Sequence, residues 1–112
     1  MTTLQDVKNA LLLVKPNRTY HITAPSDAKG GEYYVWTEIS QGKALYAGNR
    51  MCGQPFQVSV DLYTKDEYSP TFQKTQRAFS LKGIRFRYNT PQYEEDTGYI
   101  HHEWIVEVDS YG

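Results

Sequence analysis

Apolar residues recur at helical spacing near the start of the chain, at Leu4, Val7, Leu11 and Val14, with Ala10 filling the stripe. Steps of three and four put these side chains on one face, and Pro16 stops the run, so residues 3–14 predict a short amphipathic helix. The pattern then changes period. Residues 18–23 and 33–40 are rich in β-branched and aromatic side chains and predict two strands, separated by a Pro/Ser/Asp/Gly loop over 25–31. Residues 41–53 carry three glycines and no sustained period, which predicts a long loop with at most a short strand at 45–47.

From Gln54 the alternation is strict: Phe56, Val58, Val60 and Leu62 on one face, Gln57, Ser59, Asp61 and Tyr63 on the other. A strand with one packed and one wet face follows. Ser69-Pro70 supplies a helix cap and a proline at the first helical position, ahead of Phe72, Gln76 and Phe79 on a helix ending near Gly83. In the last third, Ile84, Phe86 and Tyr88 alternate with Arg85 and Arg87. After a turn at Glu95-Asp96-Thr97-Gly98, Ile100, His102, Trp104, Val106 and Val108 alternate with His101, Glu103, Glu107 and Asp109. Two alternating runs around an Asp/Gly turn predict a β-hairpin. If Tyr93 faces Tyr99, Phe86 falls opposite Val106 and Arg85 opposite Glu107; a bulge at Pro91 would shift this register by two. The order helix, strands, helix, hairpin has no regular βαβ alternation. It predicts one α+β domain over residues 1–112, with a mostly antiparallel sheet and two helices on one face.

Composition narrows what such a domain does. Ten tyrosines, four phenylalanines and two tryptophans accompany a formal charge of −1, from 12 Lys+Arg and 13 Asp+Glu. Near-neutral charge argues against a protein that coats nucleic acid, which needs a strong attraction for phosphates. Tyrosine suits half-buried surfaces, because its ring can be covered while its hydroxyl stays wet, and Tyr33, Tyr63, Tyr93 and Tyr99 fall on strands or turns where one face should be wet in a monomer. The single cysteine, Cys52, forms no internal disulfide, and Met1–Lys8 lacks a secretory signal pattern, so folding in a reducing cytoplasm is expected. No run of about 18 apolar residues exists to span a membrane.

Charge placement says more than charge total. From Lys74 to Arg87 there are five basic residues and no acid; from Glu94 to Asp109 there are six acids and no Lys or Arg. The two blocks either neutralise each other within the subunit or form a basic and an acidic flank, the arrangement that head-to-tail contacts between copies use.

Enzyme signatures are missing. His101 and His102 are adjacent on a strand and leave on opposite faces, so they cannot hold one ion together. His101 and Glu103 share a face but lack a third ligand, and Glu94-Glu95-Asp96 lacks the spacing of a calcium loop. No Gly-rich phosphate loop, Gly-x-Ser-x-Gly or Cys-x-x-Cys occurs, and no histidine lies near Cys52 in sequence. No catalytic residue, metal or cofactor is expected.

Three segments carry a resemblance: Tyr34-Val-Trp-Thr-Glu38, Val60-Asp-Leu-Tyr-Thr-Lys65, and Gln92-Tyr-Glu-Glu-Asp-Thr-Gly-Tyr-Ile-His-His-Glu-Trp104. Together, in a chain of this length, they resemble the tail-terminator group of small phage and prophage tail proteins of Gram-positive bacteria, also called tail-completion or head–tail joining proteins. The resemblance runs from residue 16 to residue 108. It implies an α+β fold that assembles as a homo-hexameric ring, caps the tail tube, ends its polymerisation and meets the head–tail connector or stopper. DNA would pass transiently through the lumen, no membrane would be involved, and the protein would sit in the virion tail or neck after assembly in the host cytoplasm.

On that basis Arg85, Arg87, Glu103 and Glu107 are candidates for the intersubunit surface. Lys43, Asn49 and Arg50 in the glycine-rich loop, and Glu94, Glu95 and Asp96 at the hairpin tip, are candidates for contacts with the major tail tube protein or the connector. Another neck or head-completion adaptor of similar size is the nearest alternative. A small α+β nuclease or RNase-like toxin using His101, Glu103 and Arg87 is the alternative of a different class.

Overall fold

In a computed structural model of the chain, residues 2–24, 31–39, 56–89 and 91–109 are described. The first helix, α1, spans Leu4–Val14. It opens on a reciprocal cap: the Thr3 hydroxyl accepts from the Asp6 amide at 3.2 Å, and the Asp6 carboxylate accepts from the Thr3 amide at 2.9 Å. Strands β1 (Thr19–His21), β2 (Tyr33–Ile39) and β3 (Phe56–Thr64) follow, then helix α2 (Pro70–Leu81), then strands β4 (Arg85–Tyr88), β5 (Gln92–Tyr93) and β6 (Ile100–Val108).

The six strands form one sheet in the order β1-β2-β3-β6-β4, with β5 also paired to β6. All pairings are antiparallel except β1 with β2. Because β6 inserts between β3 and β4, the β3-α2-β4 unit is a split crossover, and the C-terminal strand becomes an interior strand of the sheet. The α+β class, the two helices and the C-terminal hairpin are as the sequence predicts.

Both helices cover one face. Val7, Ala10 and Leu11 from α1 and Ala78 and Phe79 from α2 pack with Tyr34, Trp36, Val58, Val60, Leu62, Trp104, Val106 and Val108. These strand residues are the even-numbered positions, so the period of two decides which half of each strand is dry. Polar groups drawn into this layer are satisfied. Thr75 Oγ1 donates to the Thr71 carbonyl at 2.7 Å and accepts from the Tyr34 hydroxyl at 2.5 Å, while Trp104 Nε1 donates to Gln76 Oε1 at 3.1 Å.

Helix α2 ends as its sequence signals. Gly83 takes φ 70°, its amide bonds the Ser80 carbonyl at 3.1 Å, and the Ile84 amide bonds the Phe79 carbonyl at 2.9 Å. This is the double bond of a glycine-terminated helix, with buried Ile84 and Phe79 making the accompanying apolar contact.

Three local features depart from the sequence reading. Strand β1 stops at His21, short of residue 23, because Ile22 turns to φ 73° while the Thr23 amide bonds back to the His21 carbonyl at 2.8 Å. That is a γ-turn of the rare positive-φ form, at a β-branched residue where it is strained. In the hairpin, Phe86 does pair with Val106 and Arg85 with Glu107, but Tyr93 pairs with Ile100 and not with Tyr99. One extra residue between Tyr88 and Gln92 shifts the register by one, where a shift of two was the alternative. Tyr99, expected on a wet face, is buried; its hydroxyl donates to the Gly31 carbonyl at 3.0 Å.

Candidate functional site

Among the described residues neither helix packs on the second face of the sheet, and the odd-numbered positions of β2, β3, β6 and β4, joined by Gln92 of β5, meet there in four rows. Tyr33, Tyr63, His101 and Gln92 make one row; Val35, Asp61 and Glu103 the next. Thr37, Ser59, Ile105 and Arg87 follow, then Ile39, Gln57, Glu107 and Arg85. Arg85, Arg87, Glu103 and Glu107, the candidate intersubunit residues, therefore all lie on this one face.

The two arginines occupy a corner at the β4 edge. Arg85 Nε lies 3.4 Å from Glu107 Oε1, and its Nη2 lies 3.6 Å from Asp109 Oδ1. For Arg85, then, the basic and acidic blocks neutralise each other within the subunit, through an exposed pair of small energetic weight. Arg87 pairs across the strand with Ile105 and makes no ion pair among the described residues. A cavity of about 220 Å³ lies here, lined by Gln57, Arg85, Phe86, Arg87, Ile105 and Glu107. Glu103 is engaged by Asn89, whose Nδ2 donates to Oε1 at 2.8 Å.

At the opposite end of the face the aromatics stack across three strands. Tyr33 and Tyr63 lie nearly parallel with centroids 4.8 Å apart, and Tyr63 and His101 at 4.5 Å. Tyr99 meets the first two edge-on, and Lys65 Nζ sits 5.0 Å above the Tyr99 ring. His101 Nε2 is 2.8 Å from Asp61 Oδ1. That hydrogen bond raises the His101 pKa against the opposing effect of burial, and the charges of Asp61, Glu94 and Glu103 add to the rise. Burial, reinforced by Asp61 and Glu94, pushes the Tyr63 hydroxyl up to about 12. The row thus keeps its tyrosine hydroxyls protonated, and its histidine holds a proton more readily than a free imidazole, inside an acidic neighbourhood.

The hairpin tip is polar and self-bonded. Glu94 accepts from Thr97 Oγ1 at 3.1 Å, the Gly98 amide bonds the Glu94 carbonyl at 2.8 Å, and Glu95 and Asp96 are exposed. The tip candidates Glu94, Glu95 and Asp96 are close in space to one another and apart from the arginine corner. Lys43, Asn49, Arg50 and Cys52 lie outside the described residues. Among those described, no three metal-ligating side chains converge and no helix is long and apolar enough to cross a membrane.

Two constellations have no signature in the sequence. Asp61 and His101 stand forty positions apart, and only the β3–β6 register brings them together. The other surrounds Glu32. Its Oε1 accepts from Thr71 Oγ1 at 2.5 Å and pairs with Lys15 Nζ at 3.0 Å; its Oε2 accepts from Thr64 Oγ1 at 2.6 Å and from Ser69 Oγ. Burial opposes the charge, but donors from Ser69, Thr64, Thr71 and Lys15 outweigh it and hold the carboxyl at about 2. Glu32 also sits at the N-terminus of α2, where the free amides and the helix dipole favour a negative group. Compared with known protein families and with curated proteins, the chain matches none.

Proposed function

We propose that this protein is a structural subunit that assembles through the sheet face opposite its two described helices into a ring at the end of a phage tail tube, as a tail terminator does. The observation that carries the reading is the division of that face: Arg87 and Arg85 at one corner, Asp61 and Glu103 with the tyrosine row toward the other end. Arg87, without an ion pair among the described residues, and the Glu103 carboxylate on the same face suit a heterologous, head-to-tail contact, which closes into a ring when the rotation allows. Stacked and edge-on tyrosines add amphipathic contact area of the kind interfaces favour. The resemblance of the Tyr34–Glu38, Val60–Lys65 and Gln92–Trp104 segments to tail terminators supplies the biological setting.

Both sheet edges discourage strand addition as the means of assembly. At β1 the γ-turn uses the His21 carbonyl, and at the other edge the extra residue and Pro91, which has no amide hydrogen, interrupt the ladder between β4 and β5. Contacts between copies then fall to side chains. In this reading the hairpin tip and the loop carrying Lys43, Asn49 and Arg50 face the tube or the connector, and the work is steric and not catalytic.

Mass measurement by light scattering tests the ring. A multimer that forms with rising concentration or on adding tube protein is expected, and reversal of Arg87 to Glu should weaken it. A chain that stays monomeric under both conditions overturns the proposal. Tails assembled without this protein should be overlong or headless by electron microscopy; normal tails would count equally against it.

A further inference from the structure

On the helix-covered side of the sheet, away from the face just described, the start of α2, the turn before it and strands β4 and β6 enclose an open cavity of about 310 Å³. It is lined by Glu67, Tyr68, Ser69, Phe72, Gln73, Tyr88 and His102. Phe72 and Tyr88 meet edge-on at 5.0 Å and the His102 ring lies 5.0 Å from Phe72, so three rings form one wall. His102 is only 9% exposed. Its Nδ1 is bonded to the Tyr88 hydroxyl at 2.7 Å, and its Nε2 has no partner among the described residues. Among the described residues no buried side-chain nitrogen or oxygen is left without a partner, so Nε2 is not fully enclosed, and His102 is one of the residues that line the cavity.

The rim is equally specific. Tyr68, 85% exposed, holds its ring out beside the cavity with its backbone amide tied to Asp66 Oδ1 at 3.0 Å. Glu67 and Gln73 are exposed at the same mouth, and among the described residues no bond engages either side chain. Among the described residues no lysine or arginine lines the space.

From these groups we infer that the cavity is a binding site for a planar nitrogen heterocycle presenting N–H donors, neutral or cationic, of the aminopurine or aminopyrimidine class. The volume is at the small end for ligand sites and suits one or two fused rings. Aromatic walls and Tyr68 offer stacking, which is tolerant of ring identity. The Glu67 carboxylate and the Gln73 carbonyl accept from the ligand's N–H groups, while the His102 Nε2 and the Tyr88 hydroxyl supply a polar contact at depth. The carboxylate, with no cation to offset it, rejects rings that carry their own negative charge. The site stands apart from the face assigned to assembly, so it holds or fails independently of the ring.

Adenine is the probe and orotate, a planar anionic heterocycle, the control, each titrated at millimolar concentration into the full chain while side-chain NMR signals are followed. Adenine is expected to move the ring signals of Phe72 and Tyr88 and the Nε2 signal of His102, and orotate to leave them in place. Tyr68→Ala and Glu67→Gln, both at exposed positions that carry no core contact, should each weaken adenine binding about tenfold. No movement with adenine, equal movement with orotate, or undiminished affinity in both variants would overturn the assignment.

Discussion

One carboxylate, Glu32, ties the end of α1, strand β3 and the start of α2 together through Lys15, Thr64, Ser69 and Thr71. Its folded pKa of about 2 lies below the unfolded value near 4.5, so its contribution is complete above pH 4.5 and is lost as pH falls toward 2. Glu32→Gln should cost roughly 1–3 kcal/mol at neutral pH, because three hydroxyls keep only a neutral acceptor. Denaturant melts should show the variant losing the wild-type decline between those two pH values. His101 runs the other way. Its folded pKa is raised, so its pairing with Asp61 stabilises fully below about 6.5 and fades as pH rises through the folded value. In Asp61→Asn the His101 titration followed by NMR should move down, since burial then acts unopposed by a carboxylate hydrogen bond. The stability gap to wild type should be widest just below pH 6.5 and narrow above it.

At the scale of elements, endings carry much of the information. Gly83 holds φ 70° with nothing near the place a Cβ would occupy, so Gly83→Ala meets no steric obstacle and pays only for backbone conformation. A loss of about 1 kcal/mol in thermal or chemical melts is expected, with helix content unchanged. Elements with a clean period were legible in the chain: the α1 stripe, the Ser69-Pro70 start of α2, and the alternations of β3 and β6. What stayed hidden depended on partners distant in sequence. Nothing local announces that Ile22 turns to positive φ, since a β-branched residue is a poor candidate for it. The slip between β4 and β5 falls near Pro91, where the sequence places a bulge, but it is one residue and not two, since the two-residue β5 is too short to carry an alternation that fixes its register. The candidate surface was half legible. Alternation put Arg85, Arg87, Glu103 and Glu107 on one face, while the Asp61–His101 pair and the Tyr33–Tyr63–His101 stack arise only from the strand order.

For the whole molecule, the sheet order makes β6 an interior strand, and among the described residues one broad face is left to side chains alone. If that face joins copies head to tail, the contact is largely electrostatic at the Arg87 corner, and assembly should weaken as salt rises toward molar concentration. Sedimentation at low and high salt checks this; an assembly indifferent to salt would shift the contact to the tyrosine row. The two ends of the described chain are also fastened together: the Thr2 amide and hydroxyl donate to Asp109 Oδ2 at 3.0 and 3.1 Å, and the Asp109 amide returns a bond to the Thr2 carbonyl at 2.9 Å. That tie makes the backbone nearly a closed circle, so its ends can be joined by a short linker and reopened at the Glu95–Gly98 turn with the native contacts retained. In such a circular permutant β6 would lead the chain, and its pairings with β3 and β4 would span far longer loops. The same sheet should form, and it should form more slowly, because contact order rather than the contacts themselves would have changed.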